Sequence, residues 1–318
     1  MPAPCPNPPR IGIVGAGRTQ QGLGPYLAAA FEEAGCRVTA VAGRDAHGAL
    51  RGARQLAQQL GHAVDAAASV AALAREVDAL VVASPVPSHA TALDAALAAG
   101  IPCLCEKPLV GWREAAAGRA RVQTFAARGL LLVENCQWPF VLSAFDELFP
   151  QLRSEPVRQV AMGLSPVGRG PSMVEDSLSH VLSVVQALVP WTGAALLDRI
   201  RRTDGSPTAE HDVVQFTLRQ GSDECAVALH LDRCPEPPRP AWLEVNGHRL
   251  DRRIGPGYTI EFTDGERTVK TRDPLRELVY RFAAFLTQPH RDRTQTCADL
   301  VDTRLRLYAD VLRHLAEG

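Results

Sequence analysis

Short apolar runs and longer amphipathic stretches take turns along the first third of the chain. Ile11-Gly-Ile-Val-Gly15 is an apolar run closed by glycine, the pattern of a strand covered on both faces. Gly24-Pro25 then places proline where a helix tolerates it, 26–34 reads as that helix, and Gly35 stops it. The alternation continues with a strand at 38–42, a helix at 49–60 stopped by Gly61, and a second helical stretch at 66–75. A strand at 79–83 ends in a Ser84-Pro85 turn. A helix at 90–99 closed by Gly100, a short strand at 102–105, a helix at 115–128 and a strand at 130–133 complete the series. Such β-α-β-α order predicts a parallel sheet with helices on both faces.

Beyond residue 135 the period changes. Residues 140–152 and 173–188 read as helices, and 157–164 as a strand. The segments 213–218, 224–231, 242–246 and 258–262 alternate as strands of an antiparallel sheet do. Asn246-Gly247 and Asp264-Gly265 mark turns of the hairpin type. Helices at 274–286 and 298–315 close the chain. The expectation is an α/β Rossmann domain (a doubly wound parallel sheet) over 1–135, followed by an α+β domain with a largely antiparallel open sheet over 136–318.

Composition narrows the function classes. Of 318 residues, 46% are apolar and 22% charged, which excludes disorder over most of the chain. A net charge of −1 gives no electrostatic footprint for nucleic acid. No apolar run approaches the ~20 residues of a membrane span, and the proline-rich first ten residues have no secretory core. A cytoplasmic protein is therefore expected. The eight cysteines are scattered, form no C-x-x-C, and read as reduced core thiols. The histidines outside the motifs show no metal-ligand spacing, so no metal is expected. Lys107 and Lys270 are the only lysines beside 32 arginines, which draws attention to any lysine inside a motif.

Gly15-Ala-Gly17 lies where the first strand meets the first helix. There glycine permits close backbone approach, and a helix N-terminus offers N–H groups to a pyrophosphate. Gln20 stands where a third glycine is usual; Gly22 or Gly24 would serve in a longer loop. At the end of the second strand stands Gly43-Arg44-Asp45. An NAD site uses an acid there for the ribose hydroxyls, whereas Arg44, helped by Arg18 and Thr19, would pair with the 2′-phosphate of NADP. Arg44 points to NADP; Asp45 keeps NAD as the alternative.

The most specific stretch is Ala83-Ser-Pro-Val-Pro-Ser-His89, then a helix, then Ala99-Gly-Ile-Pro-Cys-Leu-Cys-Glu-Lys-Pro-Leu109. In order and spacing it resembles the Gfo/Idh/MocA oxidoreductases, relatives of glucose–fructose oxidoreductase and inositol dehydrogenase, across roughly residues 10–140. The resemblance implies that Ser84, Pro85, His89, Glu106, Lys107 and Asn135 border the cofactor. It also implies that Asp176 and His180, four apart on one helix face, stand opposite Lys107. Many sugar and inositol enzymes of the family have an acid three residues after that histidine; Ser183 replaces it here.

On this reading Lys107 polarises the reacting oxygen, His180 moves the proton and Asp176 orients His180. The expected activity is NADP-dependent hydride transfer between nicotinamide and a carbonyl, alcohol or imine of a small molecule. A homodimer or homotetramer is implied by the resemblance. Two other classes remain: an NAD(P)-binding sensor without catalysis, and a redox-neutral enzyme with tightly held NAD(P).

Overall fold

The computed structural model of the protein describes residues 7–17, 23–189, 194–255, 259–288 and 291–317. The chain divides into two compact units, Met1–Asn135 with Leu275–Asp302, and Cys136–Pro274 with Thr303–Gly318.

In the first unit six strands form one sheet: β1 (Arg10–Val14), β2 (Arg37–Ala42), β3 (Asp65–Ala66), β4 (Ala79–Val82), β5 (Cys103–Cys105) and β6 (Leu132–Glu134). Their order is β3-β2-β1-β4-β5-β6 and every pairing is parallel. This is the doubly wound arrangement, with its reversal of strand order between β1 and β4. The connections are α1 (Gly24–Glu33), α2 (Ala46–Leu60), α3 (Val70–Glu76), α4 (His89–Ala99) and α5 (Ala115–Ala127). Helices on both faces explain why the strands are apolar without alternation: Ile11, Ile13, Leu80, Val81 and Leu104 are fully buried. Cys103 and Cys105, two apart in β5 and so on one face of the sheet, are both fully buried, and burial pushes both thiols far up, so neither is a thiolate.

One boundary differs from the sequence reading. The helix expected from residue 66 begins at Val70, because Asp65 and Ala66 pair with Ala40 and Val41 of β2. Ser69 then caps the helix by accepting the Ala72 N–H at 3.1 Å.

Residues 275–302, expected with the second domain, cluster with the first unit. They include most of α8 (Pro274–Thr287), whose Phe282 meets Phe31 of α1 edge-on at 5.9 Å. Both rings are almost wholly buried.

The second unit holds eight strands: β7 (Gln159–Leu164), β8 (Leu196–Arg202), β9 (His211–Gln220), β10 (Asp223–Asp232), β11 (Trp242–Val245), β12 (His248–Ile254), β13 (Ile260–Thr263) and β14 (Thr268–Thr271). The sheet runs β14-β13-β12-β11-β7-β10-β9-β8 and is antiparallel except at the β7–β10 pair. Its helices are α6 (Leu142–Leu148), α7 (Pro171–Leu188) and the C-terminal part of α9 (Arg291–Glu317). Alternate residues such as Val160, Met162, Val227 and Leu229 are buried on one face, and α7 packs against β7 and β10.

The expected helix at 140–152 is broken into a 3-10 turn, α6 and a further 3-10 segment that starts at Pro150. Asn246 and Gly247 both adopt positive φ, at 49° and 82°, and make the two-residue turn between β11 and β12. Strands β8, β12 and β14 escape the sequence pattern. In β8 and β12 the reason is charge: Arg199, Arg201 and Arg202 in one, Arg249, Arg252 and Arg253 in the other, mask the alternation. The start of the strand expected at 258 lies outside the described residues.

If α8 is integral to the first unit, Phe282→Ala lowers unfolding free energy by about 3–5 kcal/mol, the cost of truncating a buried phenylalanine. Urea denaturation followed by circular dichroism measures it. A loss below about 1 kcal/mol would show that α8 contributes little to that core.

Candidate active site

The end of β1 and the end of β4 approach each other so closely that glycine is required. Gly15 has φ 91°, and a Cβ placed on it would lie 2.7 Å from the Ser84 backbone. Gly24, at the start of α1, comes equally close on the other side, since its Cβ would lie 2.5 Å from the Gly15 carbonyl oxygen. Gly24 therefore takes the packing role of the missing third glycine. Gly17 is exposed at the mouth of this loop. Arg18 and Thr19 lie outside the described residues.

Just past β2, the Arg44 side chain is 95% exposed, with its Nε 3.8 Å from Asp45 Oδ2. Asp45 is the N-cap of α2 and accepts the Gly48 N–H at 2.6 Å. That bond holds the Asp45 carboxyl below its usual range. The acid is thus engaged by the helix terminus, and the guanidinium projects into solvent.

After β4, Ser84 is half-buried and Pro85 exposed. Ser88 Oγ lies 2.7 Å from Ser84 Oγ and 2.8 Å from the Pro85 carbonyl oxygen, which fixes the turn that opens α4. His89 is fully buried. Its Nε2 is 2.7 Å from the Ser84 carbonyl oxygen, and its Nδ1 is 3.1 Å from that of Pro108 and 3.3 Å from that of Leu109. Burial lowers its pKa, against the opposing pull of these carbonyls and of Glu134. A ring enclosed in this way, at the first residue of α4, links the turn after β4 to the segment after β5.

Lys107, half-buried, follows β5 in the segment Glu106–Leu109, and its peptide bond to Pro108 is cis. Asn135, 2% exposed, donates its amide N–H to the Glu106 carboxylate and its backbone N–H to the Cys105 carbonyl oxygen. The Asn135 Oδ1 atom is buried and has no hydrogen-bond partner among the described residues. Glu134, 5% exposed, accepts the Leu109 N–H at 3.0 Å. Sequence reasoning missed Glu134. Its signal is an acid inside the apolar run Leu130-Leu-Leu-Val-Glu134, where only a hydrogen-bonded carboxylate is tolerated.

In the second unit Asp176 and His180 occupy α7, with Asp176 exposed and His180 half-buried. Met173, Val174, Leu178 and Val181 bury the helix's inner side. Arg304 of α9 donates to Gln186 Oε1 at 2.7 Å, and the Tyr308 hydroxyl donates to the Glu175 carbonyl oxygen at 3.2 Å. Cys136 Sγ lies 3.6 Å from the Ser179 carbonyl oxygen. Ser183 is 2% exposed and gives its hydroxyl proton to the His180 carbonyl oxygen, 2.7 Å away. Among the described residues no group of His, Cys, Asp and Glu forms a metal cluster, and no helix is long and apolar enough to cross a membrane.

Comparison with known proteins bears on both units. Residues 9–136 match the family model described as oxidoreductase family, NAD-binding Rossmann fold. Inositol 2-dehydrogenase of Leifsonia xyli is 30% identical over 235 residues, 67% of this chain and 63% of that protein's length. Two solved structures show the fold. One is a variant of a 3-ketoreductase from Actinomadura kijaniata with TDP-benzene and NADP, at 20% identity, TM-score 0.66, covering 97% of this chain and 98% of that one. The other is an inositol dehydrogenase homologue from Azotobacter vinelandii with NAD+, at 16% identity, TM-score 0.67, covering 98% and 96%. Residues 9–136 are thus a Rossmann unit of the Gfo/Idh/MocA oxidoreductase family.

Proposed function

We propose that the protein is an NADP-dependent oxidoreductase acting on a carbonyl or alcohol of a sugar-like or keto substrate, or on an imine. The observation that carries the reading is the cradle at the reversal between β1 and β4. A Cβ at Gly15 would strike the Ser84 backbone and one at Gly24 the Gly15 carbonyl, so glycine at both positions lets the ends of β1 and β4 and the start of α1 close up, which sets the α1 N-terminus where a pyrophosphate would bind. Gly15, Gly17 and the N-terminus of α1 would hold the pyrophosphate. Ser84, Pro85, Glu106 and Asn135 would border the nicotinamide, with the unpaired Asn135 Oδ1 as an acceptor for an incoming N–H. When bound, the cofactor supplies or accepts a hydride at nicotinamide C4.

The choice of NADP rests on Arg44 and Asp45. The guanidinium is available for a 2′-phosphate, while Asp45 already caps α2. The 3-ketoreductase solved with NADP supports this reading, and the homologue solved with NAD+ supplies the alternative.

The chain's own residues manage the substrate's oxygen and proton. Lys107 donates a hydrogen bond to the reacting oxygen and stabilises negative charge there. His180 takes the proton in oxidation and returns it in reduction, and Asp176 orients the ring. Ser183 brings no carboxylate to the substrate, and its hydroxyl is committed to the His180 carbonyl. This favours a sugar-like ketone over a plain polyol. A homodimer or homotetramer completes the proposal.

Fluorescence titration is expected to show NADPH bound more tightly than NADH, with Arg44→Ala narrowing the gap by about 1–3 kcal/mol. Equal affinities before the substitution would transfer the role to Asp45. Lys107→Met is expected to lower kcat about 10²-fold with NADPH affinity little changed, read from NADPH absorbance. His180→Ala is expected to cost a similar factor and to remove one limb of the pH profile. Full activity in Lys107→Met would remove lysine from the mechanism.

A further inference from the structure

Three side chains from outside the segment that carries Lys107 converge on it. From α4, His89 Nδ1 lies against the carbonyls of Pro108 and Leu109. From the end of β6, Glu134 accepts the Leu109 N–H, and Asn135 donates to Glu106. The same His89 ring reaches the opposite way to the Ser84 carbonyl oxygen. One buried ring therefore spans the turn after β4 and the segment after β5. Neither His89 nor Glu134 is needed for packing alone. An apolar ring and an aliphatic chain would fill the same space without the desolvation cost of an imidazole and a carboxylate. His89 Nδ1 and the Glu134 carboxylate both meet backbone groups just after Lys107, at Pro108 and Leu109.

We propose that His89 and Glu134 are positioning residues for Lys107, a clip that fixes the Glu106–Leu109 segment against the Ser84 turn and so sets where the ammonium stands. A loop segment left to its own backbone wanders by ångströms, and about 1 Å of misplacement costs on the order of 10²-fold in rate. The clip lies entirely within the first unit. Its consequence for turnover rests on the reading of Lys107 as catalytic; its effect on the lysine does not.

The two-lysine composition makes that effect directly measurable. Reductive methylation with 13C-formaldehyde gives one dimethyl-lysine signal each for Lys107 and Lys270, assigned with Lys270→Arg. In His89→Phe and Glu134→Leu, the chemical shift of the Lys107 signal is expected to change, with that of Lys270 unmoved. Glu134→Gln keeps an acceptor for the Leu109 N–H and is expected to restore the original Lys107 signal. An unmoved Lys107 signal in either folded variant overturns the proposal.

Amide exchange in the unaltered protein decides the matter even if those variants fail to fold. The Leu109 N–H is expected to exchange as slowly as the β5 amides, and exchange at the rate of an exposed loop overturns the clip. With NADPH and a turned-over substrate, Glu134→Leu is expected to lose about 10²-fold in kcat while NADPH affinity stays within about twofold. If Lys107→Met is fully active while the Lys107 signal still responds to both clip variants, the catalytic reading fails and the clip stands.

Discussion

The backbone at Gly15 passes so close to the Ser84 backbone that no side chain fits between them. The architecture of the first unit follows from that contact. Strand β1 must end there, because its next residue takes a positive φ that leads the chain out of the sheet. Helix α1 must start against the same point, because Gly24 lies over the Gly15 carbonyl. Strand β4 ends opposite, with its Ser84 carbonyl facing Nε2 of the His89 ring, whose Nδ1 faces the Pro108 and Leu109 carbonyls. A single chain of contacts thus runs from the glycine-rich loop to the segment around Lys107. A doubly wound sheet creates a crevice where its strand order reverses, and this chain lines the crevice with bare backbone on one side and fixed carbonyls behind the other.

In the proposed mechanism the second unit contributes Asp176 and His180. Its sheet buries one face against α7, whose inner surface is apolar and whose Asp176 and His180 lie outside that surface. Arg304 and Tyr308 tie α7 to the C-terminal helix. The histidine is therefore carried on a helix fixed by packing rather than on a loop, which is the condition for a group that must meet a substrate in one orientation.

Much of this was legible in the residues. The parallel strands were readable because burial on both faces leaves no polar positions, as in Ile11–Val14 and Ala79–Val82. The motif around Lys107 was readable because its spacing is specific. Strands β8 and β12 were not, because arginines occupy positions where simple alternation fails. The start of α3 was set by a pairing with β2 that is distant in sequence. The allegiance of residues 275–302 depends on tertiary contacts such as Phe31 with Phe282, which local pattern does not encode. Within the site, the acid at 134 was visible, but its partner, the Leu109 N–H, is 25 residues away. His89 was legible as a turn and helix-start residue, but its carbonyl neighbours at Pro108 and Leu109 lie 19 and 20 residues away.

A crystal structure of the protein with NADPH tests the account most directly. The account predicts that the 2′-phosphate lies within about 3 Å of the Arg44 guanidinium, the pyrophosphate lies over Gly15 and Gly17, and the nicotinamide ring stands beside Lys107. A complex in which Asp45 binds the adenine ribose and the nicotinamide lies away from the Glu106–Leu109 segment would contradict it.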